Sequence, residues 1–177
     1  MSRTRIAAGF DALEAVLALA KGREALRESA GGWSVQEIAE HVATANIHLL
    51  RLARTCAGKC RARAARGLDA ARPPTASMED LLAHASSGVR WEAPGHMRPA
   101  GSVALETSSA TIAVQREEAL ALWDELCADD ARVGRMHDVG MVVLGPGARI
   151  ALPELLVFVA LHAERHARQA ERALRAN

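Results

Sequence analysis

The stretch Gly32-Trp33-Ser34-Val35-Gln36-Glu37-Ile38-Ala39-Glu40-His41-Val42 contains its own start signal. Ser34 and Glu37 stand three apart, the spacing at which a serine hydroxyl and a glutamate carboxylate satisfy each other's backbone donors at a helix N-terminus. Apolar Ile38, Val42, Ala45, Leu49, Leu52 and Ala53 then recur at helical spacing. A helix is therefore predicted from near Ser34 to about Gly58, reaching Arg66 at most. Upstream, Ile6, Phe10, Leu13, Val16, Leu17 and Ala20 mark another helix that stops before Gly31-Gly32. So short a two-glycine link predicts that these first two helices pack antiparallel.

Composition agrees with a helical core. The 177 residues are about one domain's worth, and half are apolar, yet there are two Phe, three Trp and no Tyr. Ala, Leu, Val and Ile must build the core, which favours close-packed helices over a sandwich of strands. The 22 basic and 21 acidic residues nearly cancel, so no overall field draws the chain to nucleic acid or a membrane. Three cysteines without a signal-peptide pattern predict reduced thiols in the cytoplasm. No apolar run approaches a membrane span.

Further along, Pro73-Pro74 marks an extended connector, and Ser77 caps a short helix from Met78 to about Ser87. Residues 88–102, rich in Gly and Pro, read as an irregular loop. A third long helix is expected from about Ser108 to Cys127. The breakers Gly134, Gly140, Gly145, Pro146 and Gly147 make 131–150 a long structureless connection, a kind that tends to be functional. Pro153 opens a fourth long helix, carried to about Leu174 by Leu155, Leu156, Val159, Ala163 and Ala170. The expectation is an all-α fold of four long helices, one short extra helix and two long loops, forming a single domain over 1–177.

Within the fourth helix, His162-Ala163-Glu164-Arg165-His166 puts two imidazoles one turn apart on one face, where both can reach one metal. Glu164 points round the other side, so this is no zinc-protease motif. A solvated or hydrogen-bonded pair is the commoner reading of such spacing. Gln169 shares the face of His166 and could orient a ligand, or simply be an exposed helical Gln. His41 projects toward the core edge of the second helix, as a ligand or as an ordinary satisfied histidine. His48 lies about 10 Å further along the axis, too far to serve the same ion.

Two blocks together carry a resemblance. Gly32–Val42, with Trp33-Ser34, Glu37 and His41, resembles the opening of the second helix in DinB/YfiT-like proteins. The segment with Leu155, Phe158, His162, Arg165, His166, Gln169 and Glu171 is similar to that family's last helix. The resemblance spans Ala7 to Leu174 and is loosest between Gly58 and Val103. It implies a four-helix bundle holding a divalent metal on three histidines, which here are His41, His162 and His166. Branches of that family include thiol S-transferases and isomerases that use a low-molecular-weight thiol, so a metalloenzyme that activates a thiol, or by the same chemistry water, is expected, of thiol S-transferase or hydrolase type. Imidazole ligands suit zinc or nickel.

The remaining features read more plainly. Arg51, Arg54, Lys59, Arg61, Arg63, Arg66 and Arg72 form a basic run with one acid, Asp69. It could hold an anion, but cations near a helix C-terminus are ordinarily solvated, and no aromatic residue offers a stacking platform. Cys56 and Cys60 read as small buried fillers, and His84, His96 and His137, with no partner at ligand spacing, as solvent-exposed. A small-molecule substrate, a homodimer, and neither nucleic acid nor membrane are expected. The alternatives are a non-enzymatic bundle with a structural ion and an anion-binding interaction module.

Overall fold

A computed structural model describes residues 3–70, 73–87 and 91–176; Arg72 of the basic run lies outside them. Five α-helices are present among these residues: α1 (Arg3–Ala18), α2 (Val35–Ala65), α3 (Met78–Ser86), α4 (Leu105–Ala128) and α5 (Leu152–Arg175). A small antiparallel sheet joins β1 (Asp138–Gly140) to β2 (Arg149–Ala151). None of these helices is long and apolar enough to cross a membrane.

The side chains fix the directions of the long helices. Arg54 pairs with Glu118 and Arg61 with Glu125, so α2 and α4 advance together and are parallel. Arg3 pairs with Asp124 and Arg116 with Asp11, so α1 runs against α4, and therefore against α2. These pairs are largely exposed and of the kind worth 0 to about 1 kcal/mol; they report register more than they stabilise it. Stability comes from the apolar faces they flank. Ile6, Phe10, Leu13, Ile38, Leu50, Ile112, Leu120, Leu155 and Leu156 are fully or almost fully buried in one cluster.

Three expectations need correction. The link between the first two helices is not the glycine pair but the whole segment 19–34, because α1 stops at Ala18. That segment folds back to feed the start of α2. Val35 N donates to the Leu26 carbonyl, Gln36 N to that of Glu24, Glu37 N to the Ser34 hydroxyl, and Ile38 N to the Ser34 carbonyl. The first three of these satisfy orphan donors of the helix start and the fourth is the first bond within the helix, which leaves Ser34 N as the remaining orphan. The capping box is present, with Glu37 returning a bond to Ser34 N at 2.7 Å.

The second correction concerns 131–150, which is ordered. Val139 opposite Ile150 buries the inner face of the hairpin, and Arg149 pairs with Asp138. The breakers are the turn itself, with Gly145 and Gly147 at φ +113° and +77°, conformations open to glycine. Thr75 and Ala76 donate to the Arg149 carbonyl, so the proline connector is tied to the same hairpin. The third long helix, α4, also starts three residues earlier than expected, at Leu105, without a side-chain cap.

At Gly9 the backbones of α1 and α5 come very close. A Cβ there would stand 2.8 Å from the Ala160 carbonyl carbon and 2.9 Å from its Cβ. In an ordinary helix Gly→Ala adds about 1 kcal/mol, but overpacking costs about 1–3 kcal/mol. Gly9→Ala is therefore expected to lower stability, seen as a reduced urea midpoint, with Gly58→Ala, where nothing lies within 4 Å, raising it. Equal gains at both positions would contradict this packing.

Candidate metal centre

Both blocks of histidines lie on faces turned toward the core. His41 comes from the second turn of α2, and His162 and His166 from successive turns of α5; they are 4 %, 7 % and 7 % exposed. The structure brings the three together although His41 and His162 are 121 residues apart in sequence. Their ring centroids are separated by 5.2 Å (His41–His162), 4.8 Å (His41–His166) and 4.6 Å (His162–His166), each pair edge-on. One ligand atom from each lies within 4.8 Å of the others, so the group could hold a metal ion.

The outer nitrogens explain the orientation. His41 Nδ1 donates to the Met97 carbonyl at 2.7 Å, and His166 Nδ1 to Gln169 Oε1 at 2.9 Å. With the proton on Nδ1, Nε2 of each ring keeps its lone pair and turns it inward. His41 Nε2 faces His162 Nε2 at 3.2 Å. Two ligands bound 2.0–2.1 Å from a tetrahedral ion stand about 3.3 Å apart, so the spacing already suits a shared ion. His162 Nδ1 is buried and unpartnered, the one loose end in the set.

The Met97 carbonyl is delivered by a loop that α2 grips from below. Glu40, buried beside His41, accepts from Ala100 N at 3.2 Å and Gly101 N at 2.8 Å. Gln36 Nε2 donates to the Gly101 carbonyl. Gly101 sits at φ +72° with Glu37 Oε1 3.4 Å from where a Cβ would be, so glycine suits the position. Aromatic rings close the flanks. Trp33 lies against His41 and His166, with centroids 4.7 Å and 6.2 Å away. On the other side a column runs from His162 to Phe158, Trp91 and His84, with Arg165 over the Trp91 face.

Other sequence candidates fall elsewhere. Glu164 bonds Arg5 and Arg168, away from the cluster. His84 is half-buried against Trp91, not solvent-exposed, because α3 packs it over that ring. His137 is likewise only partly exposed; it lines a cavity of about 270 Å³ with Lys59, Arg63 and Arg66. Arg54 and Arg61 of the basic run are committed to the α4 carboxylates Glu118 and Glu125, and Arg61 also to Asp129 just past the helix. Cys56 and Cys60 are buried, each with its thiol toward the His137 carbonyl. The sequence reading missed Met97, Glu40 and the aromatic column. A backbone carbonyl leaves no residue-type signature, and the carboxylate of Glu40 acts on peptide groups 60 residues away.

The DinB superfamily model matches residues 5–170. The chain belongs to the DinB superfamily. Comparison with curated proteins gave no match, and comparison with solved structures gave none either. The match includes both histidine blocks, and with them the three side chains that meet in this DinB chain.

Burial pushes the imidazoles below their ordinary value near 6.5, His162 well below and His166 to about 3. Desolvation is the leading cause in each, and mutual repulsion among the rings adds to it for His162 and His166. Neutral imidazole is the form that ligates. A folded pKa below the unfolded one means that the unfolded chain takes up protons first as pH falls. The stability tied to neutral rings is therefore complete above about pH 6.5 and is lost as pH falls from there toward the folded values. The unfolding free energy of metal-free protein, read from urea titrations, should fall between pH 7 and pH 5, by up to about 1.4 kcal/mol per pH unit for each ring. His166→Gln should flatten that fall; an unchanged slope would sink the assignment.

Proposed function

We propose that this DinB protein is a metalloenzyme in which His41, His162 and His166 hold a divalent ion, zinc or nickel, for the activation of a thiol or water. The observation that carries the reading is the inward convergence of Nε2 lone pairs, each of two rings held by an outer hydrogen bond. An ion on three neutral imidazoles keeps its full charge and lowers the pKa of a thiol or water beside it. The chain's own residues supply the rest. Met97 and Gln169 fix the tautomers of His41 and His166, Glu40 holds the loop that presents Met97, and Trp33 and Phe158 keep water from the flanks. Thiol S-transfer to a small electrophile, with a low-molecular-weight thiol as cosubstrate, is the preferred reaction, and hydrolysis is its neighbour.

The architecture we infer is a four-helix bundle of α1, α2, α4 and α5, one domain over 1–177, acting in the cytoplasm without nucleic acid or membrane. We propose a homodimer, the commonest closed assembly. Ile47 on α2 and Val114 on α4 support it, being exposed apolar residues on parallel helices. Sedimentation at micromolar concentration should then give twice the chain mass; a monomer alone would count against it.

The deciding experiment measures metal content, helicity and turnover together. His41→Ala, His162→Ala and His166→Ala should each lose the ion and turnover of thiol plus electrophile while keeping near-native circular dichroism. Gln169→Ala should weaken metal affinity about 10- to 100-fold, as loss of an outer partner does. Full turnover in metal-free variants would overturn the enzymatic reading. The depth of burial favours a second reading, in which the ion fastens α2 to α5 and no reaction occurs; chelation would then unfold the chain, and no thiol or water substrate would turn over.

A further inference from the structure

His48 and His96 stand outside the three-histidine cluster. His48 follows His41 by seven residues on α2, about 10 Å along the axis. His96 lies on the Gly95–Met97 turn, beside the residue whose carbonyl holds His41. Sequence spacing gave neither a partner, yet the fold brings their rings to a centroid separation of 5.0 Å at an interplanar angle of 77°. The metal-competent cluster supplies the comparison. Its three ring pairs have separations of 4.6–5.2 Å and angles of 66–75°. The outer pair shares the ring separation and edge-on attitude of the inner ones, with His48 half-buried and His96 exposed, so the pair is open to ions from solvent.

We propose that His48 and His96 form a second site for a borderline transition-metal ion such as Zn²⁺, Ni²⁺ or Cu²⁺, a two-imidazole clasp that ties the 95–101 loop to α2. Imidazole nitrogen selects these ions over Mg²⁺ and Ca²⁺, which require oxygen donors. With one imidazole fewer than the inner cluster, the clasp binds more weakly and fills second, with water in its remaining positions. Arg51 is its built-in competitor. Its guanidinium approaches His48 Nδ1 at a long 3.4 Å, and because a guanidinium only donates, it occupies a lone pair that an ion would take. The consequence reaches the inner site through the chain. An ion on His96 restrains the next residue, Met97, and so the carbonyl that orients His41.

The test is a Zn²⁺ titration of the metal-stripped full chain against a chromogenic chelator, with Cu²⁺ electron paramagnetic resonance to count nitrogen ligands. Wild type should take up two ions per chain. His48→Ala and His96→Ala should each lose the weaker ion and keep the tighter one, whereas His41→Ala should lose the tighter ion and keep the weaker. Arg51→Ala should retain the second ion and bind it several-fold more tightly. Mg²⁺ should displace neither ion. A weaker ion that survives in both His48→Ala and His96→Ala, that is lost with Arg51→Ala, or that never appears in wild type overturns the clasp. Failure of the inner site instead removes only the ion that depends on His41, so the two proposals fail separately.

Discussion

Three imidazoles buried within a few ångströms of one another are tolerable only as neutral rings with their lone pairs directed at something. Burial leaves little of their surface open to solvent, and a proton on any ring would face desolvation and repulsion together. The protein fixes the outer nitrogens of two rings with a loop carbonyl and a helix amide, which turns the inner ones toward a common point. Much of the surrounding structure follows from this requirement. The loop must be held at a set height above α2, which is the role of Glu40 and Gln36. The long connection before α4 must pass over this end of the molecule to present that loop, and α5 must lie close enough to α2 for rings from both to meet. The bare approach of α1 to α5 at Gly9 belongs to the same packing of α5 against its neighbours.

What could be read from the chain was whatever repeats or caps locally. Ser34 and Glu37 announced the start of α2, and Ser77 that of α3, because a capping box is completed within four residues. The apolar periodicity of α1 follows from one buried face, as do those of the C-terminal halves of α2 and α5, whereas Ile38–Ala43 and Glu154–Ala163 are buried on every side. The pairing of His162 with His166 needs only the pitch of a helix, whereas the addition of His41 rested on resemblance to a family, since no local rule connects residues 121 apart.

The misreadings share a cause. Gly31-Gly32 reads as the whole link because glycine breaks a helix, but the carbonyls that matter to α2 are those of Glu24 and Leu26, which any residue type could supply. In 131–150 the glycines suggest a structureless connection, whereas Gly145 and Gly147 serve the tight turn between two three-residue strands, too short to show alternation. His96 met His48 through the path of a loop that periodicity does not describe.

The parallel course of α2 and α4 has a consequence for how the molecule forms. A chain that finishes one helix and begins another in the same direction must travel back the whole length between them, here about 46 Å for the 31 residues of α2. Fully extended, about 14 residues would cover that distance. The segment 66–104 is far longer, so it carries slack that α3, the Trp91 region and the Met97 loop take up. Slack of this kind costs little once closed, because loop entropy grows only with the logarithm of length. It does delay closure, since contacts between distant parts of a chain form slowly. The helices can therefore dock before the return segment settles, leaving the last part of the protein to acquire its shape as the part that covers the histidines.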